Sequence, residues 1–221
     1  MFNAEPIVIY GASEMMSYWL KTGIIDCTVV VCEGAGTVIT SNGELVQGIG
    51  GRLTGIVKTS PIKEIVSYIE AHGGFVLSKT DARIDQVEGV KKAFNLGFKH
   101  VAVSVAGFQS QAISEIRKLE KEGLDVSIFS VCNTCIDKAD VQHILKADIV
   151  CASASKIIRK EIGKKAILQL GVTIPVYILT SKGKKLVLAY LNEFKDKLVV
   201  FRTKQLPYLA KNKGPRLKPA Y

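Results

Sequence analysis

The chain has 221 residues, of which 48% are apolar, 7% are aromatic and 23% are charged. This length and composition predict one domain whose core consists mainly of aliphatic side chains. No apolar run is long enough to cross a bilayer, and no charged start leads into an apolar stretch, so we expect a soluble protein of the cytoplasm with no membrane partner. Five cysteines are an odd number and argue against a disulfide framework, because intracellular thiols stay reduced.

The positive charge is concentrated at the end of the chain. The formal net charge is +10, and six basic residues follow residue 200 with no acidic residue among them, which leaves +4 (10 − 6) for residues 1–200. These residues are Arg202, Lys204, Lys211, Lys213, Arg216 and Lys218. We predict a domain over residues 1–205 and a flexible basic tail over residues 206–221. The tail is a candidate contact for a protein partner, no nucleic-acid partner is predicted, and a homo-oligomer is compatible with the sequence.

The first elements along the chain are irregularly spaced. A helical pattern over residues 13–23 precedes a short buried strand over residues 28–31. Residues 37–46 have the pattern of a small β-hairpin beside the main sheet, because the Asn42-Gly43 pair suits a type I′ turn.

From residue 60 onward, β-branched runs alternate with amphipathic segments, which is typical of βαβ units. Helices are predicted between residues 60 and 73, 85 and 97, 113 and 123, and 156 and 170, with a shorter one around 141–145. Strands are predicted at 75–77, 101–105, 126–131, 149–151 and 174–179, with an edge strand at 199–201. The predicted fold is therefore a single-domain, doubly wound α/β protein with a mostly parallel sheet and helices on both faces.

Small and polar residues follow each predicted strand. If the sheet is parallel, these turns meet at one edge, where small residues allow close backbone approach and helix starts present N–H groups to anions. Such turns also need small polar caps for structural reasons alone, which is the competing interpretation. A glycine-rich stretch around Arg52 is a further candidate anion cradle or a plain connector. The candidate residues for a small anionic ligand are Gly34, Gly36, Gly50, Gly51, Arg52, Thr59, Ser60, Arg83, Asp85, Ser153 and Ser155.

Four of the five cysteines stand at predicted strand ends: Cys32, Cys132, Cys135 and Cys151. Converging thiolates can hold zinc or an iron-sulfur cluster, and the Cys132–Cys135 pair alone can also cycle between dithiol and disulfide. Redox chemistry needs a helix that begins near Asn133 to stabilise a thiolate. Asp137 is a better helix cap, which leaves both cysteines in a loop and favours metal ligation. Cys27, at the start of its strand, is predicted to be a core residue.

Several stretches resemble one family. They are GASE at 11–14, VCEGAGTVI at 31–39, QGIGGRLTG at 47–55, TSPI at 59–62, ARIDQ at 82–86 and ASK at 154–156. The chain is similar there to the methanogenesis marker protein 8 family of methanogenic archaea. The resemblance implies a cytosolic role connected with methanogenesis, such as the assembly or activation of an enzyme that carries a cofactor.

Three classes of function follow from these observations. The leading hypothesis is an accessory protein that binds a metal ion or an iron-sulfur cluster through Cys132 and Cys135, with a small anionic ligand nearby. The second is an enzyme, either a thiol redox catalyst or a transferase. The third is a non-catalytic scaffold that docks a partner enzyme through the basic tail. The residues leave open whether the protein is an enzyme.

Overall fold

The computed structural model describes residues 8–50, 56–120, 123–193, 195 and 197–208. Eight strands form one mixed sheet in the order β3-β2-β1-β4-β5-β6-β8-β7. Their bounds are β1 Cys27–Cys32, β2 Gly36–Thr40, β3 Gly74–Val76, β4 His100–Ala106, β5 Asp125–Val131, β6 Ile149–Cys151, β7 Leu168–Leu170 and β8 Val176–Ile178. The four central strands, β1, β4, β5 and β6, are parallel, and the flanking strands pair antiparallel.

Helices cover both faces of this sheet. They are α1 Ala12–Lys21, α2 Gly43–Gly50, α3 Lys63–Ala71, α4 Gln86–Asn95, α5 Gln111–Leu119, α6 Val141–Ile144 and α7 Ser181–Leu191. One apolar core contains side chains of α1, α2, α3 and α7, such as Trp19 and Leu186. The other contains side chains of α4, α5 and α6, such as Ile113 and Ile144. The predicted doubly wound α/β class is therefore confirmed.

The parallel strands define two edges of the sheet. The carboxyl edge is where β1, β4, β5 and β6 end, and the amino edge is where they begin. Strand β8 runs against β6, so the turn after β8 lies at the amino edge, where the Thr180 hydroxyl donates to Asp148 at 2.5 Å. The expectation that all strand-end turns share one edge is wrong for this turn.

The predicted hairpin at residues 37–46 is wrong. Strand β2 ends at Thr40 and helix α2 begins at Gly43. The Asn42 side chain does not shape a type I′ turn, because its Oδ1 accepts the backbone N–H groups of Glu44 and Leu45 at 3.0 and 3.2 Å, as a helix cap does. Strand β2 instead forms its hairpin with β1, and Cys32 pairs with Gly36 at its closed end.

Three other expectations need correction. The predicted helix over 156–170 breaks into a π-helical turn, Ile158–Ile162, and a 3-10 turn, Gly163–Lys165, before strand β7. Residues 199–201 lie outside any strand. The helix predicted between residues 60 and 73 begins only at Lys63, with Ile62 in the cap position. Of the predicted tail, residues 209–221 lie outside the described residues. No described helix is long and apolar enough to cross a membrane.

Candidate functional site

Buried Asn133 joins the ends of neighbouring strands at the carboxyl edge. Its Oδ1 accepts the Ser130 hydroxyl at 3.0 Å, and its Nδ2 donates to the carbonyl oxygen of Cys151 at 2.8 Å. Its backbone N–H donates to the Ser153 hydroxyl oxygen at 3.1 Å. Asn133 is 0% exposed, so each polar atom of the amide needs these partners. The loop after β5 is thereby fixed against the loop after β6.

A glycine at the end of β4 makes room for this amide. A side chain at Gly107 would place its Cβ 2.5 Å from Asn133 Oδ1, a distance that carbon and oxygen atoms do not tolerate. A larger residue at Gly107 would therefore displace the Asn133 amide, which links the ends of β5 and β6.

The two cysteines of the β5 loop stand next to this clamp. Cys132 directly precedes Asn133 and has a positive φ of 53°. Cys135 is exposed three residues further on, and neither thiol is in a disulfide. No helix begins at Asn133, since the next one, α6, starts at Val141. Both cysteines lie in a loop as predicted, without the helix start that a redox thiolate was expected to use.

Non-glycine residues with left-handed backbone lie at the carboxyl edge. The non-glycine residues with positive φ among the described residues are Ala82, Cys132 and Ser153, with φ values of 49°, 53° and 47°, and they follow strands β3, β5 and β6. A non-glycine residue in this region costs about 1–3 kcal/mol and persists where the surroundings impose it. The fold therefore maintains a locally strained conformation where ligands of open α/β sheets usually bind.

The structure separates the other predicted metal ligands. Two strands, β4 and β5, lie between Cys32 and Cys151, and three interstrand spacings of about 4.8 Å place these residues roughly 14 Å apart. Burial raises the pKa of the Cys32 thiol to about 11, and nearby Glu33 adds to the rise. Cys151 lies close to the clamp, since the Ser153 hydroxyl is 3.9 Å from its sulfur. The described residues contain no group of three or more His, Cys, Asp or Glu side chains that could hold a metal ion.

Cys27 is a core residue, as predicted. It is fully buried at the start of β1, and burial raises the pKa of its thiol to about 12. Its thiol is therefore protonated at neutral pH.

Several of the predicted anion-binding residues make contacts within the protein. The Gly34 N–H donates to the Thr59 hydroxyl at 2.8 Å, and Gly36 packs against the backbone of residues 82–83, where the Arg83 carbonyl accepts the Thr37 N–H at 3.0 Å. Asp85 caps α4 and accepts the Glu88 N–H at 2.9 Å. The structural capping of turns and helix starts thus accounts for the Thr59 and Asp85 side chains.

The remaining predicted ligand residues are spread over several loops. Gly50 packs against the Ser13 side chain, and Ser60 is exposed. Ser153 belongs to the Asn133 clamp, whereas the Ser155 hydroxyl accepts the Ile158 N–H at 3.3 Å. Gly51 and Arg52 lie outside the described residues. Their role as ligands of a small anion stays a prediction.

Sequence reasoning missed a buried carboxylate on α1. Glu14 is 6% exposed, and it accepts the Val8 N–H at 3.0 Å, the Ser13 hydroxyl at 2.8 Å and the Gln47 amide at 3.3 Å. These bonds hold the segment before α1 and the end of α2 together. The signal available in the sequence was an acidic residue in the first turn of a helix.

Two cavities in the described part of the chain lie away from this edge. One, of about 450 Å³, is at the amino edge beside His100, Asp125 and Lys182. The other, of about 330 Å³, lies beside Phe75 of edge strand β3. Neither is lined by a predicted site residue.

Comparison with known proteins identifies the family. The family model described as "Uncharacterized protein conserved in archaea (DUF2099)" matches residues 2–192. The chain belongs to this archaeal family. The "Uncharacterized protein MJ0054" of Methanocaldococcus jannaschii is 41% identical over 207 residues, which cover 93% of this chain and 72% of that relative. Among solved structures, a chain of the F420-reducing NiFe hydrogenase complex from Methanosarcina barkeri is similar with a TM-score of 0.45 and 14% identity, covering 82% of this chain and 72% of that chain.

Proposed function

We propose that this archaeal protein is an accessory protein that binds a soft metal ion through the thiolates of Cys132 and Cys135 at the carboxyl edge of the sheet. The observation that carries the proposal is the fixed β5 loop. Buried Asn133 holds its start, Cys132 adopts left-handed backbone, and Cys135 is exposed. Zinc and iron-sulfur sites commonly take two of their four protein ligands from a Cys-x-x-Cys pair in a loop.

Two thiolates make up half of a tetrahedral coordination sphere. The remaining ligands would come from solvent, a small molecule or a second protein, because the described residues supply no third clustered ligand. An incompletely enclosed metal ion suits a protein that transfers the ion or presents it to a partner enzyme. The resemblance to the methanogenesis marker protein 8 family supports the further proposal that the partner has a role connected with methanogenesis.

The metal proposal is tested by anaerobic titration of the full chain with Co²⁺, whose thiolate complexes absorb in the near ultraviolet. We expect one ion per chain. The Cys132→Ser and Cys135→Ser variants should each weaken binding by at least about 100-fold, because even an outer hydrogen-bonding partner of a metal ligand is worth 10–100-fold. Cys27→Ala, in the core, is the matched control and should bind as the wild type does. Cys151→Ser should also bind as the wild type does, because Cys151 does not form a three-ligand cluster with the pair.

Alkylation provides an independent measurement of the same pair. At pH 7.5 iodoacetamide should modify Cys135 well before Cys27 and Cys32, whose thiol pKa values burial raises to about 12 and about 11. Bound metal should protect Cys132 and Cys135 together. Equal Co²⁺ affinity in the wild type and both loop variants would contradict metal binding at the pair. Absence of metal binding, with a disulfide forming between the two cysteines in glutathione buffer, would support the redox alternative.

A further inference from the structure

A buried arginine outside the thiol loop forms no ion pair with any described residue. Arg159, in the π-helical turn Ile158–Ile162, is 6% exposed. Its Nη2 donates to the carbonyl oxygen of Thr173 at 2.7 Å, and its Nε–H has no hydrogen-bond partner. No carboxylate among the described residues forms an ion pair with Arg159. Burial of a cation without a nearby anion destabilises the folded state. A negatively charged group beside Arg159 would therefore stabilise it.

A second buried polar atom without a partner among the described residues lies beside the next turn, Gly163–Lys165. Tyr177 of β8 is 0% exposed and its hydroxyl has no hydrogen-bond partner. Gly163, four residues after Arg159, packs on the ring, since a Cβ there would lie 2.9 Å from Tyr177 Cζ. Burial raises the pKa of Tyr177 to about 12, an effect that the charge of Arg159 opposes. At neutral pH the hydroxyl is therefore a neutral hydrogen-bond donor close to a cation.

We propose that Arg159 and Tyr177 form a binding site for an oxyanion, either a carboxylate or a phosphate group. The guanidinium Nε–H and the phenolic O–H are both donors without acceptors, and an oxyanion supplies acceptors and the missing charge together. Planar oxyanions are the usual partners of a guanidinium edge. Short π-helical segments are frequent at functional sites. The site shares no residue with the thiol pair, so it goes beyond the proposed metal function.

The test titrates the full chain with inorganic phosphate and, separately, with acetate, at constant ionic strength in chloride buffer. We expect saturable binding of at least one of the two by calorimetry, with a matching rise in the thermal unfolding midpoint. The ion that binds more tightly shows whether the site prefers a carboxylate or a phosphate group. Tyr177→Phe should weaken its affinity about tenfold, the value of a hydrogen bond to a charged group. Tyr190→Phe is the matched control, because that hydroxyl donates to the Ile9 carbonyl at 2.8 Å and should not affect anion binding.

A second readout does not depend on ligand affinity. Without oxyanion, Tyr177→Phe should unfold at the same temperature as the wild type or higher, because it removes a buried hydroxyl that has no partner. With saturating oxyanion the order should reverse. No saturable binding of either ion, or equal affinity of the wild type and Tyr177→Phe, would overturn the proposal. So would a Tyr177→Phe variant that is less stable by the same amount with and without the ion.

Discussion

Asn133 shows how a single buried amide can place a reactive loop. It bonds to Ser130 within β5, to Cys151 at the end of β6 and to Ser153 in the following loop, so the start of the cysteine loop moves only if the ends of both strands move. Cys132 is held between the strand and this amide, which explains why a non-glycine residue keeps a positive φ there. The geometry of the thiol pair therefore depends on a residue that carries no chemistry of its own.

Asn133→Ala should destabilise the protein by about 2–4 kcal/mol, because it leaves the Ser130 hydroxyl and the Cys151 carbonyl buried without partners. Urea unfolding followed by circular dichroism measures the change. Asn192→Ala, at the exposed end of α7, is the control and should stay within about 0.5 kcal/mol of the wild type. A loss below about 0.5 kcal/mol for Asn133→Ala would mean that the clamp does not restrain the loop.

Sequence reasoning located the cysteine pair but not the clamp, for a physical reason. An apolar run followed by Cys132 identifies a strand end from local information alone. The role of Asn133 depends on β6 being the neighbour of β5 and on Gly107 leaving space, and both are properties of the assembled sheet. The separation of Cys32 from Cys151 is equally a matter of strand order, which the spacing of residues along the chain does not contain.

At the scale of elements, the segment 37–50 shows why a dipeptide signal can mislead. An Asn-Gly pair between apolar residues suits both a hairpin turn and a helix start, because asparagine accepts backbone N–H groups in either setting. Leu45, Val46 and Ile49 are all buried in the core shared with α1, and their spacing is helical rather than alternating. Gly43 allows a close approach, since a Cβ there would lie 2.9 Å from the Ser17 carbonyl oxygen. The apolar spacing, rather than the turn signal, was the informative feature.

Asn42→Ala should cost about 1 kcal/mol of unfolding free energy, because it removes the acceptor for the first N–H groups of α2. Asn42→Asp keeps the acceptor at the helix start but, like Asn42→Ala, loses the Nδ2 donor to the His72 carbonyl oxygen at 3.1 Å, so it is the control for the cap bonds and should cost less than Asn42→Ala. Chemical denaturation of the three proteins at pH 7 provides the comparison. Equal stability of Asn42→Ala and the wild type would show that the cap bonds contribute little to α2.

At the scale of the whole molecule, the two edges of the sheet differ in chemistry. The amino edge is closed by charged residues that pair with each other, such as Arg117 with Asp148 at 2.6 Å and Lys182 with Asp125 at 2.8 Å. There Asp26 also accepts the N–H groups of residues 99 and 100 at 3.0 and 2.9 Å, which ties the start of β1 to the start of β4. The carboxyl edge has instead the left-handed residues, the thiol pair and the amide clamp. Ion pairing and candidate chemistry thus lie at opposite ends of the same strands.

Acid should weaken the amino edge through the protonation of Asp26. The hydrogen bond from the backbone of His100 is the largest factor that holds the pKa of Asp26 below its usual 3.8, although burial opposes it and the Lys99 N–H supports it. Because the pKa is lower in the folded state, the stabilisation is complete above the unfolded pKa and is lost as the pH falls through the folded one. Asp26→Asn, which keeps the shape and removes the charge, should therefore be less stable than the wild type at pH 6, by about 1 kcal/mol. The difference should shrink as the pH falls below 3.8 and through the lower folded pKa, and urea unfolding at several pH values measures this. A difference that stays constant from pH 6 to pH 3 would contradict a stabilising role for the ionised carboxylate.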